Sequence, residues 1–489
     1  MRIASVQLEA FGIELADQAL EASLAAIEAA ARRQPDVILL PECTWPGYIL
    51  GSDWVEALAG LPPDARVLDR FSAAAAGAAA TLVVGLALTD GGRARNVAAM
   101  WGPDGALLGM VHKRFLWDFD RCWFQPGQRS PVFDTPAGRI GVIVCADGRM
   151  PEIARSLAVQ GAEVILDPTA WVAAGSDPAT WTNPQYEHML PTRARENGVW
   201  VVAANKVGIE RDAVAYCGRS CMIDPTGQIV VQAPSDRPAL LVRDCDTAPA
   251  RPPVERLPRL YRALATPTRD LPVARILAEP VDPGASGRRL ALDGLDRPLG
   301  RRDLRLLSDL SVDLLVTPRP APHLGQQVAT VAMDRPGSAW LSGAEGHSAR
   351  WSRTHGAAAP GREIGPVVEA RAGRVGVMVG EDGLVPEVCR SLMLQGADLV
   401  VWFAGDLEVA AVAATRAAEN RVHVAVSTPP GSRTSGRVLS PAGTVLVDAG
   451  SSPRLLLADV AGCEPRRKEM APGTDVVWGR QPEAYGPML

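Results

Sequence analysis

The passage "GVIVCADGRMPE", Gly141 to Glu152, returns as "GVMVGEDGLVPE" at Gly376 to Glu387. Laid over each other without gaps, residues 140–166 and 375–401 agree at 13 of 27 positions. The correspondence runs on: "RARENGVWVVA" from Arg193 becomes "RAAENRVHVAV" from Arg416, and "CMIDPTGQIVV" becomes "VLSPAGTVLV". Even the tails keep step, with Arg256, Pro258 and Tyr261 answered by Arg480, Pro482 and Tyr485. A repeat this long is a duplicated domain and not a solenoid of small units. The chain is therefore read as two domains, 1–266 and 267–489. The seam falls near "YRALATPTRDLPVAR", just after the Pro-rich "APARPPVERLPR", which is too broken for regular structure. Beyond it, "VARILAE" reads as the strand that opens the second copy, echoing "RIASVQLE".

Within the first copy, apolar strands alternate with helical segments. "RIASVQL" reads as a strand, "ELADQALEASLAAIEAAARR" as a helix and "PDVILLPE" as a buried strand. "TLVVGLAL", "GRIGVIVC", "AEVILDPTA" and "VWVVAAN" repeat the strand pattern, with helices from about Pro151 and near 185–197 and hairpins at "WGPDGALLGMV" and "DPTG". Continuous apolar strands separated by helices predict an α/β layered domain, its sheets covered by helices.

The net charge of −5 carries no basic run, which argues against a nucleic-acid groove or a membrane-surface patch. The uncharged stretch Phe71 to Leu88 is long enough to span a membrane. Its Ala-rich first half and β-type second half read better as the end of a helix followed by a buried strand. No signal-peptide pattern opens the chain. The eight cysteines form no Cys-x-x-Cys pair and no zinc framework, so reduced thiols, no metal and a cytoplasmic location are expected.

Three residues stand out chemically. Cys145 ends an apolar strand and leads through Ala146-Asp147-Gly148 towards a helix, a geometry expected to expose the thiol and lower its pKa. Taken alone, a cysteine after "GVIV" is more often a small buried core residue. Glu42 ends "VILLPE" at the carboxyl edge of a strand, where it borders either a crevice or plain solvent. Lys113 is one of only three lysines among fifty basic residues, with Lys206 and Lys468. Arginine never gives up its proton, so a retained lysine points to proton handling or is a chance survivor.

With "PDVILLPECTWPGY", "HKRFLWDFDRCWFQPGQRSPVFDTPAGRIGVIVCADGRMPE", "RARENGVWVVAAN" and "GRSCMIDPTGQIV" in this order, the first copy closely resembles the nitrilase superfamily of carbon–nitrogen hydrolases. The resemblance implies two tandem four-layer α-β-β-α sandwich domains, packed as an intramolecular pseudo-dimer and open to further homo-oligomerisation. It implies Glu42 as general base, Cys145 as nucleophile, and Lys113 with the backbone N–H of Ala146 as oxyanion donors. No metal or organic cofactor is implied. Asp120 stands where the family often has a second glutamate. "Cys145-Ala146-Asp147" is closer to the amidase and carbamoylase branches than to nitrile hydrolysers, so a small amide or carbamoyl substrate is expected. The alternatives are a nitrile, an ammonia-supplying glutaminase and a ligand-sensing pseudoenzyme fusion. Tyr48, Trp117, Thr169, Trp171 and Trp181 are candidate pocket residues, with Trp117 and Trp181 equally placed for the core. Arg149 faces either a substrate carboxylate or the elbow itself.

The second copy lacks all three reactive groups. Arg319 falls where Glu42 was, Gly380 replaces Cys145, and no lysine answers Lys113. Asp382, Pro386, Glu387, Glu419 and Asn420 persist, and Cys389 lies a helical turn away as a core residue. It is read as a degenerate domain kept for packing or regulation.

Overall fold

The computed structural model describes residues 1–90, 93–173, 177, 180–280, 287–320, 328–342, 348–356, 361, 363–429, 431–450 and 452–489. Its contacts divide it into two compact units, Met1–Pro253 with Ala471–Thr474 and Met488, and Val254–Met470 with Asp475–Pro487 and Leu489.

The first unit is built on two sheets. One runs in space through Leu107–His112, Arg93–Trp101, Thr81–Asp90, Val37–Leu39, Arg2–Glu9, Lys206–Glu210, Val214–Cys217 and Val172–Ala173, with Ala239–Asp244 also paired to Arg2–Glu9. The other runs Ile229–Gln232, Cys221–Ile223, Trp200–Ala204, Val164–Pro168, Gly138–Val142 and Val132–Thr135. The sheets face each other, and Ser5 Oγ donates across the interface to the Ala203 carbonyl at 2.9 Å.

Helix Ala16–Ala31 buries Ala16, Ala19, Leu20, Ser23, Ile27 and Ala30, spaced three and four apart along one stripe. With Val67, Phe71 and Ala75 of helix Asp64–Ala78, that stripe closes over Val6, Ile38, Leu82 and Val84 of the first sheet. The uncharged stretch from Phe71 is thus a helix end followed by the strand Thr81–Asp90. No helix among the described residues is long and apolar enough to cross a membrane. Helix Pro151–Val159 begins with proline at its first turn, where no N–H is needed. Helix Leu190–Asn197 stops at Gly198, whose φ of 61° suits the left-handed residue that ends a helix. The layers run α-β-β-α.

The second unit repeats the pattern. Its sheets order Ser348–Ser352, Ser338–Ser342, Ala329–Arg335, Leu314–Thr317, Arg288–Gly294 and Arg454–Val460, and Val368–Ala370, Gly373–Val379, Leu399–Phe403, His423–Ser427, Arg437–Leu439 and Val445–Asp448. Leu290, Leu292, Val375, Val377 and Leu399 share its core. One expectation is corrected. "VARILAE" lies in helix Pro272–Ala278, and the opening strand is Arg288–Gly294. Proline at the first helical position and buried Val273 and Ala274 favour the helix over an alternating strand.

The scaffold interactions are duplicated with the fold. Arg193 pairs with Glu196 and Arg416 with Glu419, all four side chains essentially buried. Asn197 Nδ2 donates to Arg193 O at 2.8 Å, and Asn420 Nδ2 to Arg416 O at 2.9 Å. The first copy alone inserts the hairpin Lys206–Glu210/Val214–Cys217 between its strands Trp200–Ala204 and Cys221–Ile223. Between the corresponding strands His423–Ser427 and Arg437–Leu439, the described residues hold no strand.

Candidate active site

Glu42 follows strand Val37–Leu39 and is fully buried. The loop that carries it crosses strand Thr81–Asp90 at Gly85, where a Cβ would come within 2.3 Å of Pro41 O and 2.4 Å of Glu42 Cα. Only glycine permits so close a backbone approach. Two bonds lock the crossing, Gly85 N to Pro41 O at 3.1 Å and Thr44 N to Gly85 O at 2.7 Å.

Lys113, one residue past strand Leu107–His112, is also fully buried. Its Nζ lies 2.7 Å from Glu42 Oε1, 2.6 Å from Asp120 Oδ2 and 3.3 Å from the Tyr48 hydroxyl. Tyr48 donates to Asp120 Oδ1 at 2.6 Å, and Asn96 Nδ2 donates to Glu42 Oε1 at 2.7 Å. The second Glu42 oxygen, Oε2, is buried and has no hydrogen-bond partner among the described residues. Burial alone would push the Lys113 ammonium down, but Asp120 and Glu42 outweigh it and hold its pKa well above the ordinary value. Lys113 therefore stays charged near neutral pH, a fixed cation and not a proton shuttle.

Cys145 sits at φ +48°, a left-handed conformation that a side chain adopts at a cost. Its N–H donates to Asp167 Oδ1 at 2.7 Å. Asp147 accepts from Arg114 N at 3.0 Å, Phe115 N at 2.7 Å and Val144 N at 3.1 Å, tying the elbow to the segment that follows Lys113. Burial raises the Asp147 pKa to about 6 against the pull of these donors. The expectation of a lowered thiol pKa is corrected. Burial and the Glu42 charge push the Cys145 thiol up, against the smaller pull of Lys113. Cys145 itself opens a single 3₁₀ turn, Cys145–Arg149, and the α-helix starts only at Pro151. The thiol is therefore protonated at rest.

Cys145 opens on a cleft of about 300 Å³, counted out into open solvent. Its walls are Tyr48, Trp117, Ala146, Arg149, Ala170, Trp171, Val172, Asn183 and Gln185. Thr169 is buried outside this lining, and Trp181 also lies off it. Gln185 bridges two walls, its amide donating to Cys145 O at 2.9 Å and accepting from Trp171 Nε1 at 3.0 Å. The Arg149 guanidinium lies 4.3 Å from the Trp117 ring centre, and its nearest polar contact is Asn183 Oδ1 at 3.5 Å. No carboxylate pairs with it among the described residues, and burial lowers its pKa to about 10. Sequence reasoning missed Asn96, Asn183 and Gln185. Asn96 alone gave a signal, as a polar residue inside the apolar strand Arg93–Trp101.

The second copy keeps the elbow without the reactive groups. Asp382 Oδ1 accepts from Thr354 N and His355 N, as Asp147 does from Arg114 and Phe115. This places Arg353 where Lys113 stands, so the missing lysine does have a counterpart. Gly380 repeats the left-handed turn at φ +62°, and a Cβ there would lie 3.1 Å from Arg353 Cδ. Trp402 takes the place of Asp167 and donates to Gly380 O at 2.8 Å. Among the described residues, no cluster of three or more His, Cys, Asp or Glu side chains could hold a metal ion.

A sequence model of the carbon–nitrogen hydrolase family matches residues 2–252 and again residues 330–465. Among curated proteins, the chain is 28% identical over 245 residues to a probable nitrilase of Schizosaccharomyces pombe, covering 47% of this chain and 86% of that protein. It is 30% identical over 202 residues to an (R)-stereoselective amidase of a Pseudomonas species, covering 41% and 70%. It is 28% identical over 257 residues to omega-amidase NIT2 of Mus musculus, covering 50% and 88%. Among solved structures, an amidase from Nesterenkonia sp. aligns with a TM-score of 0.42 at 26% identity, over 52% of this chain and 90% of that one.

Proposed function

The chain belongs to the carbon–nitrogen hydrolase family and is an enzyme of the amidase type, and from that premise we propose that its first copy hydrolyses a small amide or carbamoyl compound bearing an anionic group. The observation that carries this reading is the buried cluster of Glu42, Lys113, Asp120 and Tyr48 beside a cavity that Cys145 lines.

The chemistry follows from the charges. Glu42 takes the thiol proton as Cys145 Sγ attacks the carbonyl carbon, and a C–S bond forms. The carbonyl oxygen becomes an oxyanion, met by the fixed ammonium of Lys113 and the backbone N–H of Ala146. Glu42 returns the proton to the nitrogen, the C–N bond breaks, and ammonia or an amine leaves a thioester. Water, deprotonated by Glu42, attacks the thioester. The acid departs, and the sulfur takes its proton back. Asp120 and Tyr48 hold Lys113 in place and balance its charge.

Arg149 supports the finer substrate class. A buried guanidinium with an aromatic plate on one face and no carboxylate partner suits a substrate carboxylate, which would restore the charge balance that burial disturbs. Two of the relatives above are named amidases and one a probable nitrilase; "Cys145-Ala146-Asp147" favours the amide reading over the nitrile.

Ammonia release from paired panels tests both parts: monoamides of dicarboxylic acids, neutral amides of equal length, carbamoyl compounds and nitriles. Turnover is expected with the acid monoamides or carbamoyl acids, is absent in Cys145→Ala, and falls by about 10²-fold or more in Lys113→Arg, consistent with loss of an oxyanion donor. Arg149→Met is expected to raise KM for acidic substrates and leave neutral ones unchanged. Equal preference for neutral amides would remove Arg149 from substrate binding, and near-normal Lys113→Arg would make Lys113 a bystander.

A further inference from the structure

A second buried Lys–Glu pair lies behind the site. Lys206 and Glu210 stand four apart on strand Lys206–Glu210, on one face, and both are buried. Glu210 Oε1 accepts from Tyr48 N at 2.6 Å and Ile49 N at 2.7 Å. Its Oε2 accepts from the Tyr216 hydroxyl at 2.7 Å and Lys206 Nζ at 3.3 Å. Lys206 Nζ donates to Cys43 O at 2.9 Å and lies 5.3 Å from the Tyr216 ring centre.

These bonds land on both ends of one loop. Cys43 directly follows Glu42, and Tyr48 is the residue whose hydroxyl meets Asp120 and Lys113. Cys43 is itself at φ +42°, and a Cβ on Gly47 would lie 3.0 Å from Glu210 Oε1. The loop thus meets the pair at Cys43 and again from Gly47 to Ile49. Burying two charges costs free energy that a pair of apolar side chains would not, and here the bonds of the pair go to the loop that follows the base. The second copy supplies the contrast. It has kept the buried Arg416–Glu419 pair of the scaffold, lost Glu42, and among the described residues holds no strand in place of the hairpin that carries Lys206 and Glu210.

We propose that Lys206 and Glu210 are positioning residues of the reaction: together they clamp loop 43–49 so that the Glu42 carboxylate and the Tyr48 hydroxyl meet Lys113 and the Cys145 thiol in register. The proposal rests on the reading of Glu42 as the base for Cys145. It also accounts for the second of the three lysines. Lysine reaches the Cys43 carbonyl and Glu210 as a compact point charge, where an arginine fork has to find room.

The test uses the full chain and a probe that needs no knowledge of the substrate. Iodoacetamide forms an S–C bond at Cys145 and releases iodide, while the thiol proton passes to the base. The rate is followed by peptide mass, with exposed Cys122 as the internal reference. Glu42→Gln, Glu210→Gln and Lys206→Met are all expected to slow Cys145 labelling by about tenfold or more, as small misplacements of a reacting group do. Cys122 should label at the wild-type rate, and Lys206→Arg should recover part of the Cys145 rate. Melting temperatures are recorded alongside. If Glu42→Gln is slow but Glu210→Gln and Lys206→Met label like wild type while melting earlier, the pair is structural only and the clamp is overturned. If Glu42→Gln itself labels like wild type, the base assignment fails and takes the clamp with it.

Discussion

Cys145 holds its thiol at φ +48°, and Gly380, its counterpart, holds the same turn at φ +62°. A Cβ in this region crowds the following carbonyl and costs about 1 kcal/mol or more, which glycine avoids. On the proposed chemistry the first copy accepts that cost for its nucleophile, and the second copy, with no thiol there, avoids it. Two inactive variants separate this from the loss of the sulfur. Cys145→Gly should be more stable than Cys145→Ala by about 1 kcal/mol in urea unfolding, because only alanine keeps the crowded Cβ. If alanine is equally stable, the turn is relaxed and the glycine of the second copy is drift. The same residues show what a sequence discloses. Glu42, Lys113 and Cys145 were legible because each is chemically odd in its setting: an acid at a strand end, a lysine in an arginine-rich chain, a cysteine at a turn. Gln185, Asn183 and Asp167 were not, since ordinary polar residues acquire meaning only from the partners that folding brings to them. The direction of the thiol's pKa was misread for a related reason. It depends on how deeply the elbow is buried and on Glu42, a hundred residues away in sequence, which together outweigh the local turn.

At the scale of elements, the two copies agree where a hydrogen bond holds one helix to the next. Arg155 donates to Glu196 O at 3.0 Å, and Arg390 to Glu419 O at 2.9 Å. Alternation of strand and helix was readable from apolar runs in the first copy. "VARILAE" failed because seven residues satisfy either period, and the proline that starts the helix outweighs the alternation. The third lysine belongs to this scale. Lys468 is buried and donates to Asn420 O at 3.2 Å and Arg421 O at 2.9 Å, closing the C-terminus of helix Ala410–Asn420. Burial lowers its pKa to about 7. Above that pH the folded chain has released a proton that the unfolded chain, with an ordinary lysine near 10.4, still holds. Unfolding then takes up a proton, so this residue's contribution makes stability rise with pH. Between pH 7 and 8, below the range of ordinary thiols, wild-type stability in urea should climb more steeply than that of Lys468→Met. The difference approaches about 1 kcal/mol per pH unit as pH moves past the folded value. Parallel slopes would mean that the ammonium is fully solvated or fully paired.

At the scale of the whole molecule, the compact units do not follow the sequence repeat. The first unit takes in Ala471–Thr474 from the far end of the chain. Thr474 is fully buried there. Its hydroxyl accepts from Asp118 N at 2.7 Å and donates to Leu116 O at 3.3 Å. Asp118 is another left-handed residue, at φ +41°. Between Leu116 and Asp118 sits Trp117, which plates Arg149 and gives its N–H to Asp120 at 2.8 Å. One hydroxyl therefore fixes, from outside, a segment that supplies both a cavity wall and a partner of Lys113. The chain beyond the copy without reactive groups thus returns a residue that the first copy's own sequence lacks. Thr474→Val preserves shape and removes the hydroxyl, leaving Asp118 N without its acceptor, a loss of about 1 kcal/mol or more. We expect kcat/KM to fall by about tenfold with the fold intact by circular dichroism. A chain ending at residue 266 lacks the whole segment Ala471–Thr474 and should fall further, with the Arg149-dependent preference for acidic substrates weakened as Trp117 loosens. If both proteins match the wild type in rate and preference, the first copy completes its own site, and the second was kept for something other than catalysis.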